Sequence, residues 1–184
     1  LKKYGANGEK VAFFCTNDGH TEPLLKRVLE SKNGLFVEAD LPSPLMGYPG
    51  ALGIDLKAEQ GNFPAILKKV ENAVVAKGGA GRFGTWAFSY GYTVTAGLGE
   101  YAIRVINGQA KKNNLKDVFA SYAKWTPGAK WNGAYYTDAA TGVRYKNMVL
   151  MYMDTYILGK LNGKQFLPTT SLKVPEKYLT MKKQ

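Results

Sequence analysis

Five polar side chains in the first forty residues have the chemistry of a solute-binding site. They are Thr16, Asn17, Asp18, Glu38 and Asp40. Hydroxyl and amide groups donate and accept hydrogen bonds, and ionised carboxylates accept them, so this set suits the hydroxyl or amino groups of a small polar molecule. Because carboxylates repel a phosphate group, the set favours a sugar, a nucleoside or a cationic metabolite.

A strand, a helix and a second strand are predicted to bring these side chains together. The apolar run Val11–Cys15 is typical of a strand buried on both faces. A helix is expected from Thr21, the predicted N-cap, to about Lys32, and Leu35–Val37 begins the second strand. Parallel strands joined by a right-handed crossover end at one edge of the sheet, where open α/β sheets bind ligands. We therefore expect the polar side chains to face one common cleft.

Two further segments are predicted to contribute ligand contacts. Leu41–Gly53 holds three prolines and three glycines, which predicts a loop without a helix over the cleft, with Ser43 and Tyr48 as candidate contacts. A rigid connector with Tyr48 packed on the core is the alternative. Gly84–Tyr92 places aromatic residues at alternate positions, the signature of a strand. From this strand the candidate contacts are Trp86, Ser89 and Tyr90, and the rings of Trp86 and Tyr90 suit stacking on a sugar or base.

The rest of the chain is predicted to form helices and short strands. We expect a polar lead-in over 1–9, a short strand over 54–56, helices over 62–77, from Thr93 or Thr95 to 107, and over 115–124, a hairpin over 133–145, an apolar segment over 147–158 and an extension along the sheet edge over 159–184. The glycines at 79, 81 and 84 have the spacing of a dinucleotide fingerprint. Since a helix precedes them and a strand follows, no cofactor is expected there.

Charge and composition argue against several classes of function. The formal net charge is +11, but only four of the 25 basic residues are arginines and they are scattered, so no nucleic-acid partner is expected. The single Cys15 and the single His20 cannot complete a zinc site or a disulfide, and Cys15 is predicted to be a buried small hydrophobe. Asp18, His20 and Glu22 could be taken as an acid–base cluster, but such residues at a helix start are usually caps, so no enzyme is predicted.

Several segments of the sequence resemble those of a known superfamily. Phe13–Asp18, a strand ending in Asn-Asp, and Glu38–Asp40, a strand ending in acid, resemble the second lobe of the type 1 periplasmic binding proteins and their repressor relatives. AFFCTNDGHTEPLLK, FVEADLPSPLMGYPGALGID and GTWAFSY are similar to a group of uncharacterised bacterial proteins of that superfamily that are assigned as lipoproteins. The start of the helix at Gly19–Glu22 and the longer loop at Leu41–Gly53 depart from the superfamily pattern, so the family's ligand chemistry is not carried over.

The resemblance implies a fold and a role. It implies an α/β lobe of three layers with a mostly parallel, Rossmann-like sheet, in which residues 1–184 form the carboxyl-terminal lobe and part of 81–184 crosses to the other lobe. It also implies an extracytoplasmic solute-binding protein that works with the permease of an ABC-type importer, touches the membrane only through an upstream lipid anchor and needs no cofactor. The ligand-sensing lobe of a cytoplasmic transcriptional regulator is the alternative. The start at Leu1, without a methionine and within ten residues of the first strand, favours a piece of a larger protein. The sequence contains no signal peptide or membrane-spanning run, so any export signal is expected upstream of Leu1.

Overall fold

The computed structural model describes residues 11–31 and 33–168 as seven strands and five α-helices. The predictions for the lead-in and for the tail beyond 168 lie outside these residues. The strands are β1 (Val11–Cys15), β2 (Gly34–Ala39), β3 (Phe83–Thr85), β4 (Trp131–Thr137), β5 (Arg144–Met153), β6 (Thr155–Leu161) and β7 (Lys164–Leu167). The helices are α1 (Thr21–Glu30), α2 (Tyr48–Leu52), α3 (Phe63–Ala76), α4 (Tyr90–Ile106) and α5 (Leu115–Trp125).

Five strands form one sheet in the order β1-β2-β3-β6-β7. The pairs β1–β2 and β2–β3 are parallel, whereas β3–β6 and β6–β7 are antiparallel. Four of the five strands therefore run in the same direction, and β6 alone runs against them. The protein is thus a mixed α/β protein with a mostly parallel sheet, which is consistent with a Rossmann-like fold. Strands β4 and β5 form a separate antiparallel hairpin.

One apolar core joins the sheet to α1, α2 and α3. Phe36 lies at its centre, with its ring edge-on to Tyr48 and stacked on Phe83. The side chain of Phe14 points away from this core because side chains alternate along a strand, and it is 54% exposed. Val37, which the β1–β2 register skips, is also exposed. The prediction that β1 is buried on both faces was wrong. Among the described residues, helices cover one face of β1 and β2 rather than both.

The segment Leu41–Gly53 contains a helix, which its composition had been expected to exclude. Helix α2 is five residues long and lies between Gly47 and Gly53, both with positive φ, and Pro49 stands in its first turn, where no N–H is needed. A Cβ at Gly47 would come within 2.8 Å of the Glu22 backbone nitrogen, so α2 sits against the start of α1. The strand predicted over 54–56 is not formed, and a 3-10 turn follows at 57–59.

The strand predicted over Gly84–Tyr92 was also wrong beyond Thr85. The hydroxyl of Ser89 accepts a hydrogen bond from the Tyr92 N–H (3.3 Å) and caps α4, which begins at Tyr90 rather than at Thr93 or Thr95. Helices α4 and α5 pack together, and α5 contacts the β4–β5 hairpin. The predictions of α3 and α5 were confirmed to within a few residues. The hairpin predicted over 133–145 is formed, but its second strand continues to Met153, into the segment predicted as a separate apolar run.

None of the helices within the described ranges is both long enough and apolar enough to cross a membrane.

Candidate functional site

The candidate site begins where β1 and β2 end. Asp18 Oδ1 accepts a hydrogen bond from the Leu41 N–H at 3.3 Å, which ties the segment after β1 to the segment after β2. Asn17 and Asp40 are exposed beside this bond, and Asp18 is half-buried. The predicted convergence of the two strand ends is therefore present. We call this surface the rim, defined as Thr16, Asn17, Asp18 and Asp40.

Part of the rim is used to build the turn after β1. Asn17 Oδ1 accepts a hydrogen bond from the Gly19 N–H at 2.9 Å and thereby caps the 3-10 turn Asp18–His20. The amide nitrogen of Asn17 stays at the exposed surface. Thr21, predicted as the N-cap of α1, is instead its first helical residue, and His20 takes the cap position without a side-chain hydrogen bond. The rim therefore presents an amide, a hydroxyl and two carboxylates to solvent.

Two of the predicted contact residues lie in the interior. Tyr48 is 2% exposed, and its hydroxyl donates a hydrogen bond to the Gly84 carbonyl at 2.8 Å. Ser43 is also buried, and its hydroxyl accepts a hydrogen bond from the Leu45 N–H at 3.1 Å. Both side chains hold the segment after β2 in place, and neither reaches the rim. The alternative given for Tyr48, packing on the core, describes its position.

Glu38 is half-buried near the end of β2 and bonds to a residue far along the chain. The Thr155 hydroxyl donates a hydrogen bond to Glu38 Oε1 at 2.8 Å, which links β2 to β6. Between them β3 carries Gly84, where a Cβ would come within 2.8 Å of Thr155 Cγ2, so only glycine leaves room for this contact. Burial raises the pKa of Glu38 to about 7, although the hydrogen bond from Thr155 opposes the rise. Glu38 therefore changes charge near neutral pH.

The aromatic candidates form a cluster at the end of β3. Trp86 is 7% exposed and packs edge-on against Trp131, with 5.5 Å between ring centroids. Its ring is tilted against that of Tyr90, with 5.7 Å between centroids. Tyr90 is 40% exposed, so its ring is available to a ligand, whereas the ring of Trp86 is buried. Ser89 serves as the cap of α4. Of the three predicted contacts in this segment, Tyr90 has the open ring that stacking requires.

Sequence reasoning missed the residues at the start of β6. Asp154 is buried at the junction of β5 and β6, and its N–H donates to the Lys130 carbonyl at 3.1 Å. Because β6 runs antiparallel to β3, this junction lies at the edge where β1, β2 and β3 end. The signal was present as the polar pair Asp154-Thr155, which interrupts the apolar run 148–158. Within residues 11–31 and 33–168, no three histidine, cysteine, aspartate or glutamate side chains are grouped so that they could hold a metal ion.

Comparison with solved structures identifies the class of fold. A crystal structure of a "putative transcriptional regulator" from Clostridium difficile 630 matches 85% of this chain with a TM-score of 0.71 and 18% sequence identity. The match covers 43% of that protein's chain. At this level of identity the similarity shows the fold, a mixed α/β architecture, and no function.

Comparison with sequences identifies the family. An uncharacterized protein of Treponema pallidum (strain Nichols) is 38% identical over 86 residues, which are 46% of this chain and 92% of that protein. The chain belongs to the family of this protein. A second uncharacterized protein of T. pallidum is 36% identical over 76 residues, and the chain covers 31% of its length. The model of a protein family of unknown function, DUF3798, matches residues 1–84, and a second family model matches residues 95–181.

Proposed function

We propose that this chain is a lobe of an extracytoplasmic solute-binding protein that delivers a small polar ligand to an ABC-type importer. In this proposal the rim holds a sugar, a nucleoside or a cationic metabolite, and a second lobe closes over it. The protein is held at the membrane by an upstream lipid anchor, and the lobe binds its ligand without chemical change. The type 1 periplasmic-binding-protein fold and the permease as partner belong to the proposal.

The observation that carries this proposal is the hydrogen bond between Asp18 and the Leu41 N–H. It joins the residue after Asn17 to the residue after Asp40, and both Asn17 and Asp40 are exposed at the carboxyl ends of two parallel strands. In open α/β sheets the crevice at this edge is the usual ligand site. The two groups offer donors and acceptors to a ligand's hydroxyl or amino groups, and the open ring of Tyr90 at the end of β3 offers a stacking surface.

Isothermal titration calorimetry on the natural full-length protein tests the proposal. The probes are a panel of monosaccharides, nucleosides, and cationic amino acids and polyamines. We expect saturable binding by one class, and we expect Asp40→Asn and Asn17→Ala each to weaken it by about 10-fold or more, because a hydrogen bond to a charged or buried partner contributes about 1.5–3 kcal/mol.

Glu30→Gln is the matched control for Asp40→Asn. Glu30 is an exposed carboxylate at the far end of α1, about 15 Å along the helix from the rim. It changes the net charge equally and is expected to leave binding unchanged. Binding by no member of the panel, or equal weakening by Glu30→Gln and Asp40→Asn, would contradict the proposal.

A second candidate is the ligand-sensing lobe of a transcriptional regulator. The observation that favours it is the fold similarity to the C. difficile protein, whose name refers to regulation. Protease treatment of cells whose outer layers have been permeabilised, while the cytoplasmic membrane stays closed, separates the two candidates. A solute-binding protein is degraded once the outer layers are opened, whereas a regulator stays protected and binds DNA with an affinity that changes with ligand.

A further inference from the structure

A cavity that the rim does not use lies between α4, α5 and the β4–β5 hairpin. Its volume is about 210 Å³. Three tyrosine rings, Tyr101 from α4, Tyr122 from α5 and Tyr135 from β4, line it together with the aliphatic side chains of Leu115 and Met151. A small space walled mainly by rings and aliphatic groups suits the flat apolar part of a ligand.

The tyrosine rings are held by hydrogen bonds to the backbone of one loop. The Tyr101 hydroxyl donates to the Lys111 carbonyl (3.1 Å) and accepts from the Asn113 N–H (2.9 Å). The Tyr135 hydroxyl donates to the Asn113 carbonyl. Because these partners satisfy both hydroxyls, the rings are fixed in position, and the cavity is formed before any ligand arrives.

A tight helix contact fixes the third ring. Tyr122 packs directly on Gly97 of α4, where a Cβ would lie 2.5 Å from the ring. The Tyr122 ring also packs edge-on against Trp131, with 4.9 Å between ring centroids. The inner wall of the cavity is therefore rigid.

The mouth of the cavity is cationic. An adjoining space of about 390 Å³ shares Asn113, Tyr135 and Lys146 with the cavity and adds Arg144. The guanidinium of Arg144 stands over the Tyr135 ring at 5.0 Å from its centroid. Among the residues that the structure describes, the ion pairs involve other cations, so Arg144 and Lys146 keep their charges for a ligand.

Nearby acidic groups in the described part of the chain form no ion pair with the cations at the mouth. Asp138, in the turn of the same hairpin, accepts hydrogen bonds from the backbone and the hydroxyl of Thr141 and from the backbone of Ala140, which lower its pKa and tie its carboxylate to the turn. Asp117 on α5 accepts the Lys111 N–H at 2.8 Å. Among the described residues, both carboxylates are held by local hydrogen bonds, and neither lies within ion-pair distance of Arg144 or Lys146.

We propose that this cavity is a second binding site, specific for a small organic anion that carries a ring. The ring enters between the three tyrosines, and the carboxylate or phosphate lies between Arg144 and Lys146, where charge-assisted hydrogen bonds form. The site is built from α4, α5, the loop between them and the hairpin. The proposal therefore does not depend on the function proposed for the rim.

Calorimetry with matched probes tests the site on the full-length protein. Phenylacetate and phenyl phosphate carry the ring and an anion, whereas phenylacetamide has the shape of phenylacetate without its charge. We expect phenylacetate to bind about 10-fold or more tightly than phenylacetamide, since a charge-assisted contact contributes at least about 1.4 kcal/mol. The two anions distinguish a carboxylate site from a phosphate site by their relative affinities.

Two sets of variants locate the binding. The double variant Arg144→Gln/Lys146→Gln is expected to reduce the affinity for phenylacetate to that for phenylacetamide. The control Lys68→Gln/Lys160→Gln removes the same charge from a groove between α3 and β6 and is expected to change neither affinity. Leu98→Trp fills the cavity from its exposed wall and is expected to abolish binding of both probes.

Three outcomes would overturn the inference. They are equal affinity for phenylacetate and phenylacetamide, absence of saturable binding at millimolar probe, and unchanged phenylacetate affinity in Arg144→Gln/Lys146→Gln. A circular dichroism spectrum and melting temperature equal to those of the natural protein establish that each variant is folded, so that a loss of binding is assigned to the site. Variants of the rim such as Asp40→Asn are expected to leave phenylacetate binding intact.

Discussion

The sheet region and the helix–hairpin region bury their apolar residues to different extents. The sheet region comprises β1, β2, β3, β6 and β7 with α1, α2 and α3. One core from Cys15 to Leu158 joins these elements except β7, whose Phe166 packs on a smaller cluster with Trp86 and Met153. The helix–hairpin region, comprising α4, α5, β4 and β5, leaves large apolar side chains such as Ile106 and Leu150 exposed. Its interior is made mostly of aromatic contacts around Trp131.

The two regions therefore contribute differently to the stability of the chain. Free energy from apolar burial scales with the area removed from water, so the sheet region contributes most of it. In the helix–hairpin region, stability depends on a few close contacts, and space remains for the cavity beside the three tyrosines. A side chain of the same type should therefore have very different energetic importance in the two regions.

The same substitution, leucine to alanine, made in both regions tests this comparison. It is expected to give the largest difference in the free energy of unfolding. Leu158 on β6 is 0% exposed and Leu150 on β5 is 61% exposed. We expect Leu158→Ala to lower the free energy of unfolding by about 2–5 kcal/mol because it leaves a cavity in the core. For Leu150→Ala we expect a change of about 0.5 kcal/mol or less. Urea unfolding followed by circular dichroism measures both, and similar losses in the two variants would refute the comparison.

Two glycines on α4 test how closely α4 and α5 pack in the helix–hairpin region. A Cβ at Gly97 would press on the Tyr122 ring at 2.5 Å, whereas nothing lies within 4 Å of a Cβ at Gly99. We expect Gly97→Ala to destabilise the protein by about 1–3 kcal/mol through overpacking. Gly99→Ala should stabilise it by about 0.4–1 kcal/mol, because alanine favours the helix and glycine does not. Thermal melts of the two variants give the signs, and stabilisation by Gly97→Ala would show that α4 and α5 do not pack closely there.

Local patterns in the sequence predicted those parts of the fold that depend on local physics. The 3.6-residue apolar periodicity of α3 and α5 and the βαβ arrangement that brings Asp18 near Leu41 could be recognised because each involves neighbours in the chain. The start of α4 was missed because alternating aromatic residues resemble a strand, and the Ser89 cap competes only weakly with that pattern. Helix α2 was missed because five residues between two glycines carry too little periodicity.

The interior of the site depended on contacts that no local pattern reveals. Glu38 and Thr155 are 117 residues apart, and their hydrogen bond requires the gap that Gly84 leaves between them. Tyr48 was predicted at the site because its loop follows a strand, but α2 turns its ring into the core. The exposed positions of Asn17 and Asp40 at the rim could be predicted, whereas the burial of Ser43 and Tyr48 could not.

The Glu38–Thr155 hydrogen bond tests the junction at which the chain returns from the helix–hairpin region to the sheet. Burial raises the pKa of Glu38 from 4.5 to about 7, so the folded protein holds this proton more tightly than the unfolded chain does. The stability that the proton provides is therefore complete below about pH 4.5 and is lost as the pH rises through about 7. Glu38→Gln keeps the acceptor for Thr155 and cannot ionise.

We therefore expect Glu38→Gln to match the natural protein in acid and to exceed its free energy of unfolding by about 1–3 kcal/mol in mild alkali. Urea unfolding at a series of pH values measures the difference, and Glu30→Gln on the exposed surface of α1 is the control that should leave the pH profile unchanged. If the two profiles for position 38 stay parallel across the range, Glu38 is solvated in the folded protein. The junction would then be open to water, and the sheet region would not be closed on the side where the helix–hairpin region joins it.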